Sequence, residues 1–370
     1  MKKICLILEN YFNYFKGGAE LQAYFIARGL IKENEVHYIF VKHHGFNEKK
    51  FRRIDDGIIL HPIKLYDYNF FSTSFFQNYW ELQKLLDDIN PDLIYERGEY
   101  FGIATNWCKK NNKKLFLGIS QNITCYKRSI LGSKYRLFSF PSNIINGFFT
   151  FVGIKNANLI IAQNHQQQKL LQQNFNRNSV VIPNGHPVPL PPFKKVDPPI
   201  ISWIANIKKL KQPELFIKLA EACQDLNVQF VYAGRLAQAS YNNIFMRKTK
   251  TLPNLKYLGE LPFEKTNELL SKSTLFINTS LTEGFPNTYI QAWMRETPVV
   301  VLNCDPDDLI KTHKMGFHSG DFEQLVKDVR YLIKNEDVRR EMGEKAREYA
   351  LKNHDIGKIG KRYLEVFEML

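Results

Sequence analysis

Thr282-Glu283-Gly284-Phe285-Pro286-Asn287-Thr288 brings a carboxylate, two glycine- or proline-shaped bends and a helix-capping amide together in seven residues, and Gln291 follows closely. A short apolar run over 275–278 precedes the segment, and Asn287 after Pro286 is a good opening for a helix. The free N–H groups of such an opening suit an anion, a phosphate above all. Glu283 and Gln291 stand eight residues apart. Were both helical, that spacing would mean about 80° of rotation and about 12 Å of rise. This is the order of separation between the hexose and the ribose on either side of a diphosphate in a sugar nucleotide. A carboxylate and an amide both bond well to hydroxyl groups. An ordinary strand–turn–helix with Glu283 as a solvated turn residue fits the same pattern equally well.

A second segment runs from the apolar 200–204 into a helix opened by Pro213, and its connection carries Asn206, Lys208, Lys209 and Lys211. Lysine beside a helix start at the end of a strand can hold a diphosphate as a point charge. A solvated basic loop is the plain alternative. A third junction, Gly17-Gly18-Ala19-Glu20, lets a ligand approach the backbone closely but matches neither a dinucleotide fingerprint nor a P-loop. Asp305-Pro306-Asp307-Asp308 has oxygen ligands spaced as in a metal clamp. Its place is a loop, and a metal role there is not expected. His43, His44, His165, His186, His313 and His318 show no metal-ligand spacing either.

These segments need elements to position them. Apolar runs at 3–8, 36–41, 92–95, 115–119, 159–162 and 180–182 alternate with helical patterns such as 19–31, the signature of a parallel, doubly wound sheet. Proline crowds residues 187–199. The alternation then restarts at 200–204, 228–233, 275–278 and 298–302, with helices over 213–224, 322–334, 338–351 and about 357–369. Ligands in such folds sit at the carboxyl ends of the strands. The reading is two α/β domains: 1–190, a proline-rich linker at 191–199, 200–352, and a terminal segment at 353–370.

Composition agrees. Apolar residues are 44% and charged residues 24%, a globular balance that excludes wholesale disorder. No apolar stretch is long enough for a membrane span or a secretory leader, and five scattered cysteines without a CxxC pair argue against a disulfide framework or zinc site. A cytoplasmic protein is expected.

Taken together, the segments resemble the family 4 retaining glycosyltransferases. The anchors are Gly17-Gly18-Ala19-Glu20, Ile182-Pro183-Asn184-Gly185, the Asn206–Lys211 loop, Gly259, Glu283-Gly284-Phe285-Pro286-Asn287-Thr288 and Thr297-Pro298-Val299. The resemblance implies the GT-B fold: two Rossmann-like doubly wound domains facing a cleft, with a C-terminal helix crossing back to the first. It implies a nucleotide-sugar donor, UDP- or GDP-linked, bound on the second domain, an acceptor on the first, and neither metal nor cofactor. By position, Lys211 matches the lysine on the donor diphosphate and Glu283 the glutamate on the donor sugar. Gly284, Phe285, Pro286, Asn287 and Thr288 match the stretch meeting sugar and phosphate, and Gly259 belongs to the donor side. Gly17, Gly18, Gln121 and Asn122 fall on the cleft and acceptor side. Three positions depart from the family. Asn206 stands where an arginine is common, with Lys208, Lys209 or Arg235 as replacements. Gln291 stands where a second glutamate binds ribose. Ser120-Gln121-Asn122 stands where a histidine is common.

The implied activity is transfer of a sugar to a glycan or lipid-linked acceptor in cell-surface polysaccharide or glycoconjugate synthesis. A non-catalytic nucleotide-sugar or polyanion-binding protein of the same fold, or a sugar-nucleotide epimerase, is the alternative. Net charge is +14, and residues 100–196 hold 13 Lys or Arg and no acid. Such a field points to an anionic partner. The aromatic and basic residues of 125–151, among them Lys127, Arg128, Lys134, Arg136, Phe148, Phe149 and Phe151, suit an anionic membrane surface, with peripheral attachment to the inner face of the cell membrane, or an acceptor carrying a lipid diphosphate; aromatics in the core with solvated cations are the plain alternative. No aromatic-basic consensus for nucleic acid is present.

Overall fold

The computed structural model describes residues 1–15, 17–42, 46, 51–64, 75–98, 102–127, 140–236 and 251–369. It divides into two units, Met1–Gly185 with Ile356–Leu370 and His186–Asp355. Each is a doubly wound α/β unit around a largely parallel sheet.

In the first unit, β1 (Lys3–Ile7), β2 (Glu35–Lys42), β4 (Ile58–Lys64), β5 (Leu93–Arg97), β6 (Lys114–Gly118), β7 (Leu159–Ala162) and β8 (Val180–Val181) run parallel, and β3 (Ile54–Asp55) pairs antiparallel with β4. The sheet order is β3-β4-β2-β1-β5-β6-β7-β8. Helices α1 (Gly18–Leu30), α2 (Phe75–Ile89), α3 (Thr105–Lys110), α4 (Phe140–Asn156) and α5 (His165–Phe175) connect the strands. Ile4, Cys5, Leu6 and Ile7 are all buried, as a strand covered on both faces requires. The chain leaves β1 toward β2 and later returns to β5 on its other side. The carboxyl ends of β1 and β5 therefore flank the reversal where open α/β sheets accept ligands.

The second sheet is wholly parallel: β9 (Ile200–Ile204), β10 (Gln229–Ala233), β11 (Leu255–Tyr257), β12 (Ser273–Asn278), β13 (Val299–Val301) and β14 (Gly316–His318), in the order β11-β10-β9-β12-β13-β14. Its helices are α6 (Pro213–Ala222), α7 (Phe263–Lys272), α8 (Asn287–Trp293), α9 (Leu309–Thr312), α10 (Phe322–Lys334) and α11 (Glu336–Asn353). Here the reversal lies between β9 and β12. Pro213 occupies the first turn of α6, where its missing N–H costs nothing.

The proline-rich stretch goes with the second unit. Lys195 Nζ donates to Arg295 O at 2.9 Å and to Thr297 Oγ1 at 2.7 Å, and the Arg347 guanidinium lies 4.9 Å from the Phe193 ring centre. Burial pushes the Lys195 amine down to about 7. The last helix, α12 (Ile356–Glu368), belongs to the first unit. Tyr363 and Phe367 are buried there, with the Phe367 ring 5.0 Å from Phe116 and 5.8 Å from Tyr95. A methyl group placed on Gly29 would sit 3.5 Å from Gly360 Cα, so α1 and α12 cross where neither has a side chain. Among the described residues no helix is long and apolar enough to cross a membrane, and the five cysteines are unpaired.

Candidate active site

Lys211 and Glu283 meet at the reversal of the second sheet. Lys211 follows β9, Glu283 follows the neighbouring β12, and Lys211 Nζ donates to Glu283 Oε1 in a half-buried ion pair. Residues 72 positions apart in the chain are brought into contact by strand order alone. Glu283 Oε1 also accepts from Ser280 Oγ at 2.7 Å and, at 3.5 Å, faces Asn278 Nδ2. Thr279 locks the two loops together: its hydroxyl receives Trp203 Nε1 at 3.0 Å and lies 2.8 Å from Lys211 O and 2.9 Å from Gln212 O. Leu281 N donates to Leu210 O at 2.9 Å. The backbone holding the pair is thus fixed on both sides.

The other positions expected to meet a donor lie along the same carboxyl edge. Ile207 N donates to Arg235 O at 2.8 Å, so Asn206 and Arg235, both exposed, leave adjacent strand ends side by side. The Arg235 backbone thus lies across from the residue that follows Asn206. Gly234 N donates to Gly259 O at 2.8 Å, and Tyr257 OH to Gly234 O at 2.8 Å. Gly234 has φ +150°, and a Cβ there would fall 1.8 Å from Ala205 O. Only glycine lets these loops approach so closely. Gly259, at φ +72°, opens onto free space.

The helix opens where the capping pattern predicts: α8 starts at Asn287, Pro286 is its cap, and Glu283 belongs to the preceding turn, so helical spacing does not relate Glu283 to Gln291. Gln291 is buried, and its Nε2 donates to Asn267 Oδ1 at 2.9 Å, so its amide N–H is committed to α7. Phe285 is packed against His354 and Trp293, ring centres 5.1 Å and 6.2 Å away, and anchors the loop from below. Gly284, Asn287 and Thr288 stay partly exposed beside Glu283.

On the first unit, Gly17 caps α1 after β1, with Gly18 exposed as its first residue. Asn122 accepts from Gln167 Nε2 at 3.0 Å, and Gln167 Oε1 in turn accepts from Gln163 N at 2.8 Å. With its oxygen toward the guanidinium, the Gln163 amide accepts from Arg97 Nη2 at 2.8 Å and donates to Ser120 O at 3.3 Å. Arg97, at the end of β5 and 1% exposed, also donates to Asn184 Oδ1 at 3.1 Å and Tyr95 OH at 3.2 Å. A polar chain therefore links the ends of β5, β6, β7 and β8. Gln121 is exposed beside it. Sequence reasoning passed over Arg97, Gln163 and Gln167, although buried polar groups at strand ends are where such chains form.

In the acidic loop, Asp305 accepts from Ile310 N at 2.9 Å and Lys311 N at 3.1 Å, and burial raises its carboxyl. Among the described residues, atoms of Asp305, Asp308 and His318 lie within 4.8 Å of one another, and these three would be the donors for a cation. Asp307 is not part of that group, so the alternate spacing read from sequence is not the one realised. His43 and His44 lie outside the described residues.

Residues 191–349 match the family model of glycosyl transferases group 1. The chain is 23% identical over 372 residues to an uncharacterized glycosyltransferase of Haemophilus influenzae, covering 96% of this chain and 97% of the relative. It is 32% identical over 193 residues to a trehalose synthase of Pyrococcus horikoshii, covering 47% and 45%. Among solved structures, Anabaena HepE in complex with UDP and glucose superposes with a TM-score of 0.77 at 15% identity, all of both chains being covered. Residues 191–349 are thus similar to glycosyl transferases group 1, and the whole chain has the two-unit α/β fold of the GT-B glycosyltransferases.

Proposed function

We propose that the chain moves a sugar from a UDP- or GDP-linked donor to a glycan or lipid-linked acceptor, with retention of configuration and without a metal, in the making of a cell-surface polysaccharide or glycoconjugate on the cytoplasmic side. The observation that carries the reading is the Lys211–Glu283 pair at the reversal of the second sheet. A diphosphate entering this edge takes the ammonium of Lys211, and the released Glu283 carboxylate turns to the sugar hydroxyls. The bond from the anomeric carbon to the diphosphate breaks while the acceptor oxygen bonds on the same face, and a diphosphate oxygen takes the acceptor proton. Lys211 then faces growing negative charge on the leaving group, an interaction stronger in the transition state than in the ground state. Arg235 sits where a second charge can join it. The helix start at Asn287 adds less, since α8 has seven residues and a helix terminus contributes about 0.3–1 kcal/mol. Asn122 and its amide chain on the first unit serve the acceptor hydroxyls, and an anionic membrane presents a lipid-linked acceptor.

Transfer of labelled sugar from a panel of nucleotide-sugars tests the reading. One donor is expected to be consumed with its anomeric configuration retained in the product by NMR, and EDTA is expected to leave the rate unchanged. Inversion of configuration refutes the same-face mechanism. Loss of transfer with chelator and recovery with Mg²⁺ or Mn²⁺ would reinstate Asp305, Asp308 and His318 as a functional metal site.

A further inference from the structure

Among the described residues of the first unit, Phe76, Trp80 and Phe148 are the three most exposed aromatic side chains. Phe76 is 82% exposed and Trp80 64% exposed on α2, and Phe148 is 57% exposed on α4. Phe76 and Trp80 are four residues apart and so share one helix face. Beneath them Phe75, Tyr79 and Phe149 stack on one another, with Phe75 and Phe149 ring centres 5.5 Å apart and Tyr79 and Phe149 6.0 Å apart. Phe148 adjoins Phe149 at 5.7 Å, and Phe76 adjoins Phe75 at 5.4 Å. The exposed rings therefore rest on a packed aromatic layer that joins the core. Apolar side chains displayed this way on a rigid support mark an interaction surface.

The expected membrane segment is revised by the same contacts. Phe149 and Phe151 pack against the core, Phe151 on Phe175 at 6.3 Å, which leaves Phe148 alone of the three standing out. Arg128, Lys134 and Arg136 lie outside the described residues. The sequence pattern did not single out α2.

We propose that Phe76, Trp80 and Phe148 seat the first unit on an anionic lipid bilayer, with Lys84 as the headgroup contact. Charge selects this occupant. Lys84 is one turn beyond Trp80, its ammonium 5.8 Å from the indole ring, so aromatic body and cation end side by side. That is the pairing that places rings at the acyl boundary and an ammonium among phosphates. No acid occurs anywhere from residue 100 to 196, which includes all of α4. On α2, Asp87 and Asp88 stand nearly two turns or more beyond Trp80, Asp87 bonded to Trp107 Nε1 at 2.7 Å, and Glu81 is turned about 100° from the Phe76–Trp80 stripe. The proposal does not depend on the glycosyl-transfer reading.

The chain's four tryptophans make the test specific, because Trp107, Trp203 and Trp293 are buried and Trp80 is the exposed one. The full chain is mixed with phosphatidylcholine vesicles with and without phosphatidylglycerol, and tryptophan emission and co-sedimentation are followed. A blue shift and protection from an aqueous quencher are expected with the anionic vesicles, weakening with salt. The shift should vanish in Trp80→Phe, whose sedimentation persists. Binding should fall about tenfold or more in Phe76→Ser/Phe148→Ser, given the apolar area removed. In Lys84→Ser it should fall about fivefold, the share of one cation near the surface. These side chains are exposed, so the variants should fold, and an unchanged circular dichroism spectrum and melting temperature confirm it. No shift with anionic vesicles, equal binding to neutral ones, or undiminished binding of the double variant would overturn the proposal.

Discussion

Glu283 accepts from Lys211 and Ser280 on the second unit's carboxyl edge. Glu283→Gln keeps the size and the ability to accept from Ser280 but loses the charge. Turnover at saturating donor is expected to fall at least about tenfold, or about 1.4 kcal/mol of transition-state stabilisation. Unchanged turnover would remove Glu283 from the chemistry. Lys211→Met should instead raise the donor's dissociation constant as well, because its ammonium meets the diphosphate in both ground and transition states. That Lys211 and Glu283 lie in the connections after two strands was legible in the sequence, because an apolar run precedes each. The role of Thr279 was not, since its bonds to Trp203, Lys211 and Gln212 depend on β9 and β12 being neighbours. Arg97 was hidden for the same reason: Asn184, its partner, is 87 residues away.

At the scale of elements, the close approach of the loops after β9 and β10 rests on Gly234. Gly234→Ala places a Cβ against Ala205 O at a disfavoured φ. A loss of about 1–3 kcal/mol in unfolding free energy is expected, together with weaker donor binding. Full donor affinity in a destabilised variant would show that these loops do not shape the donor site. Lys195 fastens the proline-rich stretch to the segment after α8. Its amine sits at about 7 in the folded state, pushed down by burial, while the unfolded chain keeps the ordinary lysine value. The unfolded state therefore binds more protons through that window, and stability should rise with pH from about 7 to about 10. Lys195→Met should flatten this slope in urea titrations; an unaltered slope would assign it to another group. The strands were readable as apolar runs because parallel strands buried on both faces need them. The start of α8 at Asn287 was readable from Pro286 and the capping amide, with Glu283 falling in the turn before it. β4 escaped notice because His61 and Pro62 interrupt its apolar pattern.

For the whole molecule, α12 is remote in sequence from the unit it completes. Phe367→Ala removes a buried ring from Tyr95 and Phe116, and about 3 kcal/mol or more of stability should be lost from the first unit. Calorimetry should show the transition of that unit lowered while the one raised by nucleoside diphosphate stays in place; a shift of the ligand-responsive transition would contradict the division of the chain. The two-unit fold was visible in the restart of strand–helix alternation after the proline cluster. The residue at which the units divide was less so, because hydrogen bonds from Lys195, not composition, decide where the proline stretch belongs. The central claim is that the reversal between β9 and β12 binds a nucleoside diphosphate through Lys211. A thermal-shift panel of UDP, GDP and their sugars on the native chain and on Lys211→Met tests it most directly. A ligand at about 100 times its dissociation constant should stabilise the native chain by about 2.7 kcal/mol. One nucleoside diphosphate is expected to raise the melting temperature of the native chain, with the effect largely gone in the variant. No shift with any diphosphate, or an equal shift in Lys211→Met, would contradict the account.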